Sequence, residues 1–143
     1  MGLSLSAAAA IIGVSILISI EIMVGTTIPT MTDTYESYDN MKDRSIDRFQ
    51  TDINITTITA WANGTNYDLN FTVDNIGSVT LKSSYFNILV NGTSQNFEIE
   101  KAYLYPEKQV WFNVTNLPGG AGNHRVKAIT GNGISDYETF TTI

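Results

Sequence analysis

The chain has 143 residues, 8 basic against 14 acidic side chains, a net charge of −6 and no cysteine. The missing cysteine excludes a disulfide framework and thiolate chemistry, whether catalytic or metal-binding. Basic residues are nowhere clustered, so nucleic acid is not an expected partner, because neutralising phosphates needs grouped Lys and Arg.

Residues 1–28 contain no Lys or Arg and a single charge, Glu21. As a helix this run exceeds the ~20 residues that a bilayer core requires. A retained membrane anchor is therefore expected. A cleaved signal peptide is the rival, but it calls for a basic start and a shorter apolar core. The opening Met-Gly with Ser6 also fits a myristoylation pattern, which a complete span makes redundant. Small residues recur at four-residue spacing, with Gly2, Ser6 and Ala10 on one stripe and Ser15 and Ser19 on another. Such stripes let membrane helices pack closely, although small residues are common in these helices anyway. Glu21 has two readings: a functional group that needs a partner inside the membrane, or a side chain reaching water near the outer interface. No basic residue before Lys42 opposes export of the C-terminal part, which is permissive for that orientation.

Residues 29–50 read as an amphipathic stalk helix. Met31, Tyr35, Tyr38, Met41, Ser45 and Phe49 fall at spacings of three and four, one face of a helix. Asp43, Arg44, Asp47 and Arg48 invite weak local ion pairs. Pro29 is expected to kink or interrupt the helix. The carboxylates here lack the loop spacing of a Ca²⁺ site, so a stalk whose Tyr/Met face packs on a partner helix or on the domain is the better reading.

From Thr51 the period becomes two. Ile53, Ile55 and Ile58 lead to Trp61; Tyr67, Leu69, Phe71 and Val73 alternate with polar residues; Phe86, Ile88 and Val90 run into Asn91-Gly92, a hairpin signal. Val110, Phe112 and Val114 alternate again, and two last strands flank Gly131-Asn-Gly133. Seven or eight short strands over residues 51–143 predict an immunoglobulin-like antiparallel β-sandwich without its Cys pair. Trp61 and Trp111 sit at strand positions where core packing is the usual explanation. Asn54, Asn63, Asn70, Asn91 and Asn113 open Asn-x-Ser/Thr sequons, a density that suits an exported domain but also arises by chance in an Asn- and Thr-rich chain. Of these, Asn70 in mid-strand is the worst placed, leaving Asn54, Asn63, Asn91 and Asn113 as glycosylation candidates.

Catalytic constellations are missing. His124 has no paired nucleophile in view, Ser83-Ser84 lacks a nucleophile-elbow context, and Asp136 with Glu138 reads as a solvated strand face. The expectation is a non-enzyme with no cofactor, no metal and no small-molecule substrate.

Three segments carry a family resemblance. The opening Met1-Gly-Leu-Ser-Leu-Ser-Ala-Ala-Ala-Ala-Ile-Ile-Gly13 resembles the start of archaellum (archaeal flagellum) accessory proteins of the FlaF type. The run Asp43-Arg-Ser-Ile-Asp-Arg-Phe-Gln-Thr-Asp-Ile53 is similar to the segment joining helix to β-domain in that family. Leu69-Asn-Phe-Thr-Val-Asp-Asn-Ile-Gly-Ser-Val-Thr-Leu81 is similar to its strand-turn-strand, though many adhesion-type sandwiches share that pattern. The resemblance implies a membrane-anchored envelope protein with its sandwich outside the cytoplasm. It would bind the S-layer and act in the stator with a FlaG-type partner, or self-associate through helix and sandwich. It supplies no binding residues; the aromatic strand region Tyr103, Tyr105, Trp111 and Phe112 is the expected partner surface. The alternative is an archaellin- or pilin-like filament subunit with its helices in a polymer core, which the missing basic leader before Gly2 disfavours.

Overall fold

The computed structural model describes residues 2–142, apart from the side chain of Leu3. Two compact units divide it, residues 1–43 and residues 44–143.

Helix α1 (Gly2–Gln50) is continuous through Pro29, so the expected interruption does not occur. Proline removes one intrahelical donor and crowds the carbonyl four residues back, here that of Gly25, a residue with no side chain of its own. Around it, the hydroxyls of Thr26, Thr30, Thr32 and Thr34 donate to the carbonyls of Ile22, Thr26, Ile28 and Thr30. α1 is the one helix among the described residues long and apolar enough to cross a membrane. Its apolar and aromatic side chains are exposed, from Ile11 and Leu17 to Met31, Tyr35, Tyr38 and Met41. The ion pairs expected among Asp43, Arg44, Asp47 and Arg48 do not form. Among the described residues the one salt bridge is Lys101–Glu100 at 3.0 Å. Holding two long, hydrated side chains in one geometry costs about what such a surface pair returns.

The second unit is antiparallel β-structure. Its strands are β1 (Ile53–Asn63), β2 (Asn66–Asn75), β3 (Leu81–Lys82), β4 (Asn87–Val90), β5 (Thr93–Gln95), β6 (Glu98–Ile99), β7 (Tyr103–Leu104), β8 (Gln109–Pro118), β9 (Gly122–Ile129) and β10 (Ser135–Thr142). One sheet has the order β1-β2-β8-β6, a second β10-β9-β4-β5, and β3 pairs with β7. The helix-plus-antiparallel-β class is as expected. The strand number is higher because β3, β6 and β7 are two-residue ladders too short to show a period.

The inward residues of both sheets make one core: Leu69, Phe71 and Val73 from β2, Val110, Phe112 and Val114 from β8, Ile88 and Val90 from β4, and Val126 and Ala128 from β9. Phe112 is its centre, with ring centroids 5.1–5.5 Å from those of Phe71, Phe86 and Phe97. Phe112 therefore faces the core and is not part of a partner surface. Strand alternation puts it on the opposite face from its neighbour Trp111.

Two one-residue bulges set which faces are inside. In β1, Ile55 pairs with Val73 but Ile58 with Phe71. The extra residue turns Ile58 and Ala60 onto the core and Trp61 outward. In β8, Leu117 pairs with Tyr67 but Val114 with Leu69. Asn116 in this bulge takes φ 59°, and its N–H donates to Asp68 Oδ1 at 2.7 Å. Where the edge strands β1 and β10 meet, the Ile55 N–H donates to Asp136 Oδ2 at 2.8 Å. Asp136 is therefore a tie between the sheets rather than a solvated face.

Replacing Phe112 by Ala is expected to lower unfolding free energy by about 3–5 kcal/mol, read as a shift of the denaturant midpoint. Tyr67 should behave oppositely. Its hydroxyl is buried with no hydrogen-bond partner, so Tyr67→Phe should be neutral or stabilising by up to about 1 kcal/mol. Burial also raises the Tyr67 pKa above 10.0. The unfolded chain then loses this proton first as pH rises, and stability falls above about pH 10. The Tyr67→Phe variant should lack that component of the alkaline slope in equilibrium unfolding.

Candidate functional site

Two of the segments singled out in the sequence meet in space. The end of α1 and the turn after β2 form a joint in the second unit. Gln50 O accepts from Ser78 N at 2.8 Å, and Asp52 O accepts from Ile76 N and Gly77 N, both at 3.0 Å. The Ser78 bond occupies a carbonyl that the helix end leaves without an intrahelical partner, and the other two occupy the carbonyl of Asp52 just beyond it. Thr51 continues the seal, its hydroxyl donating to Asp47 O at 2.7 Å and accepting from Asn132 Nδ2 at 2.6 Å. The β2–β3 and β9–β10 turns thus both grip the helix end.

Only glycine fits at the centre of the joint. A Cβ at position 77 would lie 2.5 Å from both Gln50 O and Asp52 N, which is backbone that cannot rotate away. Asn75, 1 % exposed, holds the turn in place. Its side-chain NH₂ donates to Val79 O (2.8 Å) and Leu104 O (3.2 Å), while its Oδ1 accepts from Gly77 N (3.1 Å). Its backbone N–H and C=O bond Lys108 O and Glu107 N. In the sequence Asn75-Ile-Gly77 reads only as a turn; the amide at its start, buried in the fold, is the signal that marks more. Beside it an open cleft of about 350 Å³ is lined by Asp74, Asn75, Ile76, Glu107, Lys108 and Gln109. Among the described residues no cluster of three or more His, Asp or Glu could hold a metal ion.

His124 is structural. Its ring lies 4.6 Å from that of Tyr67 and 5.6 Å from that of Phe140. The Arg125 N–H donates to Asn91 Oδ1, which orients the Asn91 NH₂ toward His124 Nδ1 at 2.9 Å. Nδ1 must then accept, so Nε2 carries the proton and faces Gly120 O and Thr142 Oγ1, each at 3.2 Å. A nitrogen that bears the proton cannot take one from Thr142. The hydrogen bonding therefore supplies no base.

The remaining sequence candidates are scattered. Tyr103, Tyr105 and Trp111 are exposed, and the two tyrosine rings lie 6.4 Å apart. Glu21 and the small stripes lie along exposed α1. Among the sequons Asn54 is exposed in β1, Asn63 Nδ2 donates to Asp68, Asn91 is committed to His124 and Arg125, and Asn113 Oδ1 is buried with no partner. Trp61 and Trp111 are not core residues: both stand on the outer face of the first sheet, 45 % and 36 % exposed.

No family model matches the chain, and no curated protein does. Among solved structures, a chain of the archaeal flagellum of Methanospirillum hungatei strain JF1 superposes with a TM-score of 0.72 at 14% identity, over 95% of this chain and 92% of that one. The archaellum periplasmic stator protein FlaG from Sulfolobus acidocaldarius matches at TM-score 0.49 and 16% identity, over 63% of this chain and 99% of its own. The periplasmic stator complex of FlaF and FlaG from the same organism matches at 0.48 and 16%, over 62% and 87%. The fold, helix and β-domain alike, is similar to that of the Methanospirillum hungatei flagellum chain.

The joint generates one prediction. Gly77→Ala should destabilise the β-domain by about 2 kcal/mol or more, and hydrogen exchange should show the amides of residues 76–78 losing protection first. Unchanged protection there would mean that the joint does not fasten the helix end.

Proposed function

We propose that this protein is a non-enzymatic component of the archaellum machinery. α1 anchors it in the membrane, and the sandwich outside the cytoplasm binds the S-layer as part of the stator. The observation that carries this reading is the joint. The two segments that resemble the FlaF type, residues 43–53 and 69–81, include the residues that fasten the helix end to the sandwich at Gln50, Asp52, Gly77 and Ser78. A stator element must pass force between a membrane anchor and an external support. Backbone hydrogen bonds around a side-chain-free residue make a short connection with little slack. The same role needs no reactive group, in keeping with the structural part played by His124. A FlaG-type partner would share the load, with Tyr103 and Tyr105 as its contact. Asn54, exposed in β1, is the sequon best placed for glycan.

A second reading has its own support. The superposition on the archaeal flagellum chain runs through helix and sandwich alike, as expected of a filament subunit whose helices pack in a polymer core. Glu21 and the small stripes would then be core contacts.

Fractionation separates the two. Recovery of the full-length protein in membranes, with S-layer protein co-purifying after mild detergent extraction, is expected for the stator reading. Recovery as the main component of sheared surface filaments would replace it with the filament reading.

A further inference from the structure

The outer faces of the two sheets carry opposite charge. On the first sheet the outward positions of β1, β2, β8 and β6 include Asp68, Asp74 and Glu98 and no Lys or Arg. On the second, the outward positions of β9, β10, β4 and β5 include Arg125 and Lys127 and no Asp or Glu. Asp136 and Glu138 alternate with Tyr137 and Thr139 and so point to the other side of β10. The aromatic groups divide in a matching way. Trp61 and Trp111 stand on the acidic face, and Arg125 lies over the Tyr137 ring at 5.3 Å on the basic one.

We infer that the acidic face of one copy of this chain docks on the basic face of another. Asp74 and Glu98 would meet Arg125 and Lys127 of the second copy, and exposed indole faces attract guanidinium and ammonium groups. Charge complementarity picks this occupant. A net charge of −6 makes copies repel on average, whereas segregated signs favour the one orientation in which unlike faces meet. Because the contact joins different surfaces, each added copy leaves one face of each kind open, and the association runs on as a chain instead of closing as a two-fold dimer. The inference goes beyond the stator reading, since S-layer binding calls for a different partner, and it does not rest on the filament reading, whose contacts lie between helices.

The absence of cysteine allows a direct test. Thr72, paired with Trp111, and Thr139, paired with Arg125, mark the two faces. The full-length protein is reconstituted in vesicles and oxidised as Thr72→Cys alone, Thr139→Cys alone, a mixture of the two, and the double variant. Expected are dimers from the mixture only and a ladder of multimers from the double variant. Both should fade at least tenfold between 0.1 and 1 M salt, as the screening length falls from about 10 to 3 Å. Arg125→Glu with Lys127→Glu should abolish the ladder, and adding Asp74→Lys with Glu98→Lys should restore it. Equal midpoints in denaturant verify that the variants fold. Dimers from Thr72→Cys alone would show like faces meeting and overturn the inference. So would oligomers that never cross-link through these positions, the result expected if α1 alone drives association.

Discussion

The start of the second unit depends on one constraint, the approach of the Gln50–Asp52 backbone to Gly77. Main-chain carbonyls drawn into a folded domain must find donors or water, and here three consecutive amides of the β2–β3 turn supply them to Gln50 and Asp52. That approach is possible only because residue 77 has no side chain, and it is held because Asn75 satisfies both ends of its amide inside the protein. A buried amide left half-bonded would cost more than its bonds return. Because all its partners are main-chain atoms, the turn has little freedom to reshape.

The sandwich closes by similarly specific means. β1 and β10 are edge strands of different sheets, and the Asp136 carboxylate on the Ile55 amide ties them. The tie sits beside the β1 bulge, where the ladder with β2 is out of step. An inward-pointing charge at an edge also discourages uncontrolled strand addition. The second bulge, stabilised by Asp68, lets β8 bend without exposing Leu117. Polar residues that look like surface filler in the sequence thus act as fasteners at the points where regular pairing fails.

The same kind of fastening occupies the polar groups at the rim of the core. His124, Asn91, Asp68 and Asp136 are the polar groups that most invite a catalytic reading, and each is engaged by neighbouring amides. What is left for interaction is surface: the aromatic and charged side chains on the two sheet faces, and the long exposed flank of α1.

Much of this was legible in the chain itself. The apolar run, the amphipathic stretch after it and the alternation from Ile53 onward follow from periodicity, which is local. So do the hairpins at Asn91-Gly92 and Gly131-Asn-Gly133, because turn chemistry is local too. The division of Trp111 from Phe112 was also readable, since adjacent residues on a strand face opposite ways. Only the tertiary structure decided the rest. The β1 bulge reverses the parity that would have put Trp61 in the core, and nothing in Ile55-Thr-Thr-Ile58 marks which residue is extra until β2 is laid against it. Asn75 and Gly77 become a joint, and Asp136 a tie, only when segments 25 to 81 residues apart come together. Periodicity encodes which way a side chain points along its own strand. What it meets there depends on pairing between distant strands, and that is settled by burial and hydrogen bonding in the folded whole.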